Sequence, residues 1–328
     1  MNNLKKIGVS ALAGSLVAFS ANAGEVTVNG SAGMYLEHIN GGAANSGKSF
    51  SMDNQLTFTG GGELDNGLNV SISFVLDQGD DNTATVNATT NDARADTSPF
   101  DSHSVTVSSD SLGSLTMHGE GMDSAAGAVD GTVAGNIWDA FQAAANEPEA
   151  APGATGGLTY KLPSVVDGLA IAATYSPKGT NAASSTSAAI TYTGVEGLSL
   201  TYAVGDDNQV ASSNAEQTVL KATYAYGPIT VGYMTSEYDD VVATGDQETT
   251  AYSIAYTISD NLSVSYGTEE LTFGTVGSVA ADFARVSVAY TAGGMTLSAS
   301  SATGDNVDYT TAVTSDQEVW ALGASFAF

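Results

Sequence analysis

Side chains in this chain alternate, residue by residue, between greasy and small polar, and that pattern restricts the possible folds more than any other feature. In Leu68–Asp77 the apolar set is Leu68, Val70, Ile72, Phe74 and Leu76, against Asn69, Ser71, Ser73 and Asp77, with Val75 the exception. Leu198–Val204 and Tyr252–Ile258 repeat the pattern. A period of two is that of β-strands, whose successive side chains point to opposite faces. The chemistry of the two faces decides where such strands can live. A soluble sandwich packs large aliphatics inward and shows alternate polar residues, Lys and Glu among them, outward. Here the polar face is Ser, Thr, Gly and Asn, and Tyr recurs towards strand ends (Tyr160, Tyr175, Tyr224, Tyr226, Tyr233, Tyr290). Apolar-out, polar-in strands with aromatic girdles suit a barrel in an outer membrane. Lipid offers no partner to a free N–H or C=O, so such a sheet has to close on itself.

Counting amphipathic segments predicts strands near 25–37, 49–64, 68–77, 103–109, 114–120, 157–162, 169–176, 187–193, 198–204, 218–226, 229–237, 249–258, 262–271, 282–291, 295–303 and 318–328. That is an even number, as single-chain bacterial barrels require. The connections alternate in length. Short turns fall at Asp65-Asn-Gly67, Asp110-Ser-Leu-Gly113, Val195-Glu-Gly197, Gly227-Pro228, Ser259-Asp-Asn261 and Ala292-Gly-Gly294, several with the glycine that tight hairpins need. Longer polar connections lie between them, such as 78–102, 205–217 and 304–317, and the loops are read as holding most of the acid, including Asp206-Asp207 and Asp239-Asp240. The final strand runs to the last residue, with Trp320, Leu322, Ala324, Phe326 and Phe328 on its lipid side, and can zip directly to the first.

The first residues have a separate purpose. Lys5 and Lys6 precede the apolar run Ile7–Phe19, and Ala21-Asn22-Ala23 supplies small residues for cleavage. Residues 1–23 read as a secretory signal peptide, leaving 24–328 as the barrel. The run is too short for a membrane-spanning anchor, and no 18-residue apolar stretch follows it. The chain has no cysteine, which excludes disulfides and thiolate metal sites. Without Lys5 and Lys6, six basic residues face 36 acids. Such a surface repels nucleic acid and concentrates cations. With 42% hydrophobic residues in strict alternation, it is not the composition of a disordered acidic chain.

One stretch breaks the period. Gly121–Gly156 carries Asp123, Asp130, Asp139, Glu147 and Glu149 and no Lys or Arg, and its middle, residues 136–145, favours helix over strand. It reads as an acidic loop folded inside the barrel. Trp138 and Phe141 would anchor it by packing.

Sixteen amphipathic strands, a long acidic loop after the fifth and a terminal aromatic residue resemble the general diffusion porins of Gram-negative bacteria. The resemblance implies an all-β fold, a 16-stranded antiparallel transmembrane β-barrel with an inward-folded long third loop, so that 121–156 is the constriction loop. It implies a homotrimer in outer-membrane lipid and passive diffusion of small hydrophilic solutes and ions. It also implies that Phe328 belongs to the signal read by the barrel-assembly machinery. In that family, acids of the loop face a cluster of Arg and Lys on the wall. Here the wall departs from the pattern. The first five strands contain no base by this count, Lys48 and Arg94 falling in loops. Parity puts Lys161, Lys221 and Arg285 on the lumen face, together with Asp53, Asp77 and Glu120. A ring dominated by carboxylates predicts a cation-preferring pore.

Three other readings are weaker. A barrel enzyme needs a nucleophile, a base and an orienting group. The only histidines are His38, His103 and His118, and no serine motif stands beside them. Asp80-Asp81 and Asp206-Asp207 offer hard oxygen ligands, so weak Ca or Mg binding to the outer loops is expected, but no Ca-loop motif is present and no cofactor is expected. A solute-specific channel or a structural barrel with a closed lumen would share the same strands.

Overall fold

A computed structural model describes residues 26–41, 47–77, 101–141, 148–154, 156–177, 183–208, 214–312 and 315–328. Its strands are β1 (Val26–Gly41), β2 (Gly47–Glu63), β3 (Asn69–Asp77), β4 (Ser102–Ser109), β5 (Gly113–Glu120), β6 (Leu158–Lys161), β7 (Leu169–Ser176) and β8 (Ser185–Tyr192). They continue with β9 (Leu198–Asp207), β10 (Ala215–Tyr226), β11 (Ile229–Asp239), β12 (Gln247–Ser259), β13 (Leu262–Phe273), β14 (Ala281–Ala292), β15 (Met295–Asp305) and β16 (Gln317–Ala327). Each strand pairs antiparallel with its sequence neighbour, and β1 pairs with β16, so the sheet is a closed barrel. Closure satisfies every strand edge, the condition that lipid imposes. No described helix is long and apolar enough to cross a membrane.

The sixteen expected strands are present, but several run further towards the long-loop rim than the alternation suggested. Asp206, Asp207 and Asp239 are strand residues, not loop residues. The reason lies on the outer face. Glu216 stands opposite both Asp206 and Asp239, and Asp282 opposite both Glu270 and Asp305. Directly opposed like charges are destabilising, and carboxylates are excluded from hydrocarbon. These strand ends therefore rise past the apolar layer into water. Lys48, expected in a loop, belongs to β2 and pairs with His38 on the outer face, so the inner face of the first five strands still holds no Lys or Arg. Arg94 lies outside the described residues.

Two further expectations change. Of the stretch 136–145 that favours helix, the described part, 136–141, holds one 3-10 turn, Ile137–Ala140, with Phe141 already extended; a second short turn covers Gly127–Val129. The inner face is also not uniformly small and hydroxylic. One apolar cluster inside the barrel gathers Ile137, Ala140 and Phe141 of the long loop with Leu271, Phe283, Val319 and Ile39 of the wall. A second gathers Ala125, Ala126 and Ala151 with Ala203, Val219, Met234 and Ala251. Inward apolar residues occur where the wall is covered.

The seam is tied at the chain end. Phe328 N–H donates to Gly30 O at 2.9 Å and Gly30 N–H to Phe328 O at 2.7 Å. The Phe328 ring lies over Gly30, where a Cβ would meet Cε2 at 2.3 Å and the Leu56 side chain at 3.0 Å. A side chain at Gly30 has to expel the ring. Gly30→Val should therefore weaken the barrel by about 1–3 kcal/mol, seen as a lower temperature for loss of β-structure by circular dichroism. An unchanged transition would mean that the ring contributes nothing to the seam.

Candidate functional site

The loop between β5 and β6 starts and ends at a narrow neck, where Met122 bridges Ala154. Close approach is possible because Gly153 and Gly157 lie against Met122: a Cβ on Gly153 would sit 1.9 Å from Met122 O. From there the described parts of the loop cross the inner wall. Ala125 N–H donates to Thr174 Oγ1 of β7 and Ala126 N–H to Ser187 Oγ of β8, both at 3.0 Å. On the return, Ala151 N–H donates to Gln217 Oε1 of β10 and Glu149 N–H to Gln247 Oε1 of β12, both at 2.8 Å. Wall glycines make room for it. A Cβ on Gly232 would meet Val133 Cβ at 2.8 Å, and one on Gly267 would meet Ala134 Cβ at 2.6 Å.

The bend at residues 131–136 is the tightest part. Gly135 and Asn136 are both left-handed (φ 86° and 52°), a conformation that glycine adopts freely and asparagine tolerates. Thr132 and Asn136 lock it reciprocally: Thr132 N–H donates to Asn136 Oδ1 at 2.7 Å, and Asn136 N–H to Thr132 Oγ1 at 2.8 Å. The carbonyls on either side then meet the two wall cations. Arg285 of β14 donates to Ala134 O at 2.8 Å and Gly135 O at 3.0 Å, and Lys221 of β10 donates to Val129 O at 3.3 Å and to Gly131 O.

Glu269 of β13 completes the clamp. It is 2% exposed, accepts from the Thr132 hydroxyl, and accepts the Trp138 N–H at 3.0 Å. Arg285 stands diagonally across the strand pair from it, since Gly267 faces Arg285 and Glu269 faces Phe283. Burying a carboxyl is costly, and these hydrogen bonds with the diagonal Arg285 offset part of that cost. Glu269 was missed in the sequence although its parity matches Ser263, Ser265 and Gly267; the signal was there and was not read as a loop anchor. Gln217, which also donates to Asp130 Oδ2 at 3.1 Å, was missed because the sequence reading left it in the connection 205–217.

The sequence-predicted residues divide accordingly. Asp123, Asp130, Asp139 and Glu149 come together around a cavity of about 660 Å³ between the two arms of the loop, with Trp138 and Lys221 in its lining. Glu147 lies outside the described residues. Phe141 anchors the loop, 2% exposed and 5.2 Å from Phe283 between ring centroids. Asp53 faces the lumen and accepts the Tyr35 hydroxyl at 3.0 Å, and Asp77 stands opposite Gln55 on the same face. Lys161, at the short-turn end of β6, makes no hydrogen bond or ion pair among the described residues. Glu120 is displaced from simple parity. The register slips between His103 and Ser104, and His103 Nδ1 lies 3.9 Å from the Glu120 carboxylate. Its side is set by that bulge, not by alternation. Among the described residues no group of three His, Asp or Glu could hold a metal ion. Asp206 is engaged by Asn208 Nδ2 at 2.6 Å, and Asp207 by the Tyr238 hydroxyl at 3.0 Å.

Glu269→Ala removes the acceptor of two loop donors and leaves Arg285 without its neighbouring charge. At about 1.5–3 kcal/mol for each hydrogen bond to a charged group, the loop should loosen while the barrel stays folded. Limited proteolysis checks this. Faster cleavage within 121–156 with an intact barrel is the expected result, and an unchanged cleavage rate would refute the anchoring role.

Over residues 8–328 the sequence matches the model of the Gram-negative porin family. No curated protein matches the chain. Among solved structures it is similar to a porin refined at 1.8 Å resolution, at 19% identity and a TM-score of 0.66, with 93% of this chain and 100% of the other covered. It is similar to an anion-selective porin from Comamonas acidovorans (16% identity, TM-score 0.66, 93% and 99% covered). It is also similar to a triple mutant of the Rhodopseudomonas blastica porin (15% identity, TM-score 0.64, 93% and 100% covered). At such identities the structural likeness speaks for the fold, and the family match extends it to the sequence. The chain belongs to the Gram-negative porin family: it is an outer-membrane β-barrel channel, not an enzyme.

Proposed function

We propose that the barrel passes small hydrophilic solutes and ions by passive diffusion and prefers cations, with residues 121–156 as its constriction loop. One observation carries the sign of the selectivity. The wall cations Lys221 and Arg285 donate to backbone carbonyls of the loop, whereas Asp123, Asp130, Asp139 and Glu149 line the cavity. Arg285 stands behind the loop, and Lys221, at the cavity's edge, is turned onto loop carbonyls, so four carboxylates share the cavity lining with one engaged cation. The inner faces of β2 and β3 add Asp53 and Asp77 and no base. A lumen of this composition attracts cations and repels anions. The fold by itself does not set this sign, since a neighbour of the same fold is described as anion-selective.

The same reading includes export and assembly. Residues 1–23, a signal peptide by their sequence, lie outside the described residues, and the secreted chain would start at Gly24. Self-association, as a trimer by family resemblance, is supported by the outer face. Exposed Tyr residues run from Tyr160 on β6 to Tyr290 on β14, and none stands on β15, β16 or β1 to β5. Interfacial Tyr marks the wall that meets lipid headgroups, so the wall without it is the one for a neighbouring copy to cover. Phe328, seated at the seam, is the residue for the assembly machinery to read.

Reversal potential in a planar bilayer under a KCl gradient tests the selectivity. The parent should show an open, ohmic conductance with a cation-selective potential, and Asp130→Asn with Asp139→Asn should move that potential towards zero. An anion-selective parent would refute the charge argument, and absence of conductance from folded protein would favour a closed or solute-gated lumen. Intact mass of protein recovered from outer membranes should correspond to a chain beginning at Gly24; retention of residues 1–23 would refute cleavage.

A further inference from the structure

Four non-glycine residues among the described residues have left-handed backbone: Asn136 (φ 52°), Asn306 (53°), Asp308 (70°) and Tyr309 (57°). Tyr309 belongs to one apolar knot inside the barrel, and the other three are chain neighbours of its members Ile137, Val307 and Tyr309. This conformation is disfavoured for any residue with a Cβ, and most of all for a bulky one such as Tyr309. It persists where the surroundings over-determine it, and such outliers concentrate at functional sites.

The turn Asn306–Tyr309, in the connection between β15 and β16, is over-determined. Asn306 N–H donates to Asp316 Oδ1 at 3.2 Å, and its amide donates to Ala280 O at 3.1 Å. Val307 N–H donates to Ser315 O at 3.0 Å, and Tyr309 O accepts Val279 N–H at 3.1 Å. These bonds cross-link the turn to the preceding long connection and to the start of β16. They also push two side chains into the barrel. Val307 is fully buried and converges with Phe141 of the loop and Phe283 of the wall above Gly304, where a Cβ would meet the three at 2.9, 3.1 and 3.0 Å. The Tyr309 ring stacks on Phe273 with centroids 5.5 Å apart. Its hydroxyl is buried and has no hydrogen-bond partner among the described residues, and burial pushes the phenol up to about 12. A free turn would expose and hydrate that hydroxyl, so the ring is held inward by packing alone.

We propose that the turn Asn306–Tyr309 is a strap that positions the constriction loop. Val307 and Tyr309 press the apolar end of the loop, Ile137–Phe141, against Leu271 and Phe283. Wall side chains hold the loop by its carbonyls and donors from one side, and the strap closes the knot from the other. Two residues that do not border the cavity thereby fix where Trp138 and Asp139 stand. This rests on the reading of 121–156 as the constriction.

Single-channel recording and limited proteolysis on the full barrel test the strap. Val307→Asp places a charge in the knot and should split the single open level into several and speed cleavage within 121–156 several-fold. Val307→Ile, which keeps the packing, should behave as the parent. Tyr309→Ala shortens the strap without adding charge and should reproduce the Val307→Asp result even where the charged variant fails to fold. Asp308→Gly relieves the left-handed residue and should leave one open level. Parent conductance and cleavage in both Val307→Asp and Tyr309→Ala would overturn the strap. The neutralised pair Asp130→Asn and Asp139→Asn separates the two readings. A shifted reversal potential there with unaltered strap variants removes the strap alone. An unshifted potential removes the constriction reading and the strap's role with it.

Discussion

Backbone hydrogen bonding in a medium without water is the constraint on which everything else here depends. Hydrocarbon cannot replace a lost partner for N–H or C=O, so a sheet in lipid has to end where it began. The β1–β16 pairing meets that demand, and the last residue closes the seam from both its N–H and its carbonyl. Gly30 serves the same end from the other strand, because its missing side chain is the space the Phe328 ring fills. Closure turns the apolar face outward around the whole circumference and leaves an interior whose character is free to vary.

That interior is where the protein departs from a simple polar tube. A long segment laid on an inner wall brings its own backbone groups out of water, and each needs a partner. The wall meets this with hydroxyls at Thr174 and Ser187, amides at Gln217 and Gln247, a buried carboxylate at Glu269, and the cations Lys221 and Arg285. The electrostatic consequence follows from that geometry. Lys221 and Arg285 are engaged by loop carbonyls, while Asp123, Asp130, Asp139 and Glu149 line the cavity beside the loop.

Much of this was legible in the sequence, because a period of two combined with a lipid-facing side is a strong local signal that survives any tertiary arrangement. All sixteen strands were readable, as were the glycine-marked short turns and the break in pattern at 121–156. The strand ends were not. Alternation ceases to report once a strand rises above the hydrocarbon, and outward carboxylates such as Glu216 and Asp239 looked like loop residues. Lys48 was misread for the same reason. Glu120 defeated parity because one bulge beside His103 shifts the count, and a bulge leaves little trace in composition.

The site was readable only in outline. Parity placed Lys221 and Arg285 inside but could not say what they bind, because the loop that uses them lies some ninety to a hundred and fifty positions away in the chain. In its described part, 136–141, the stretch that favoured helix holds a single 3-10 turn, since the hydrogen bond from Trp138 to Glu269 and the packing of Phe141 on Phe283 outweigh local propensity. The sequence by itself determined that the chain is an outward-apolar, acidic barrel, because those properties belong to each strand separately. Only the tertiary structure decided which charges border the water and which are consumed in holding the loop, because that depends on pairings across the lumen that no local pattern encodes.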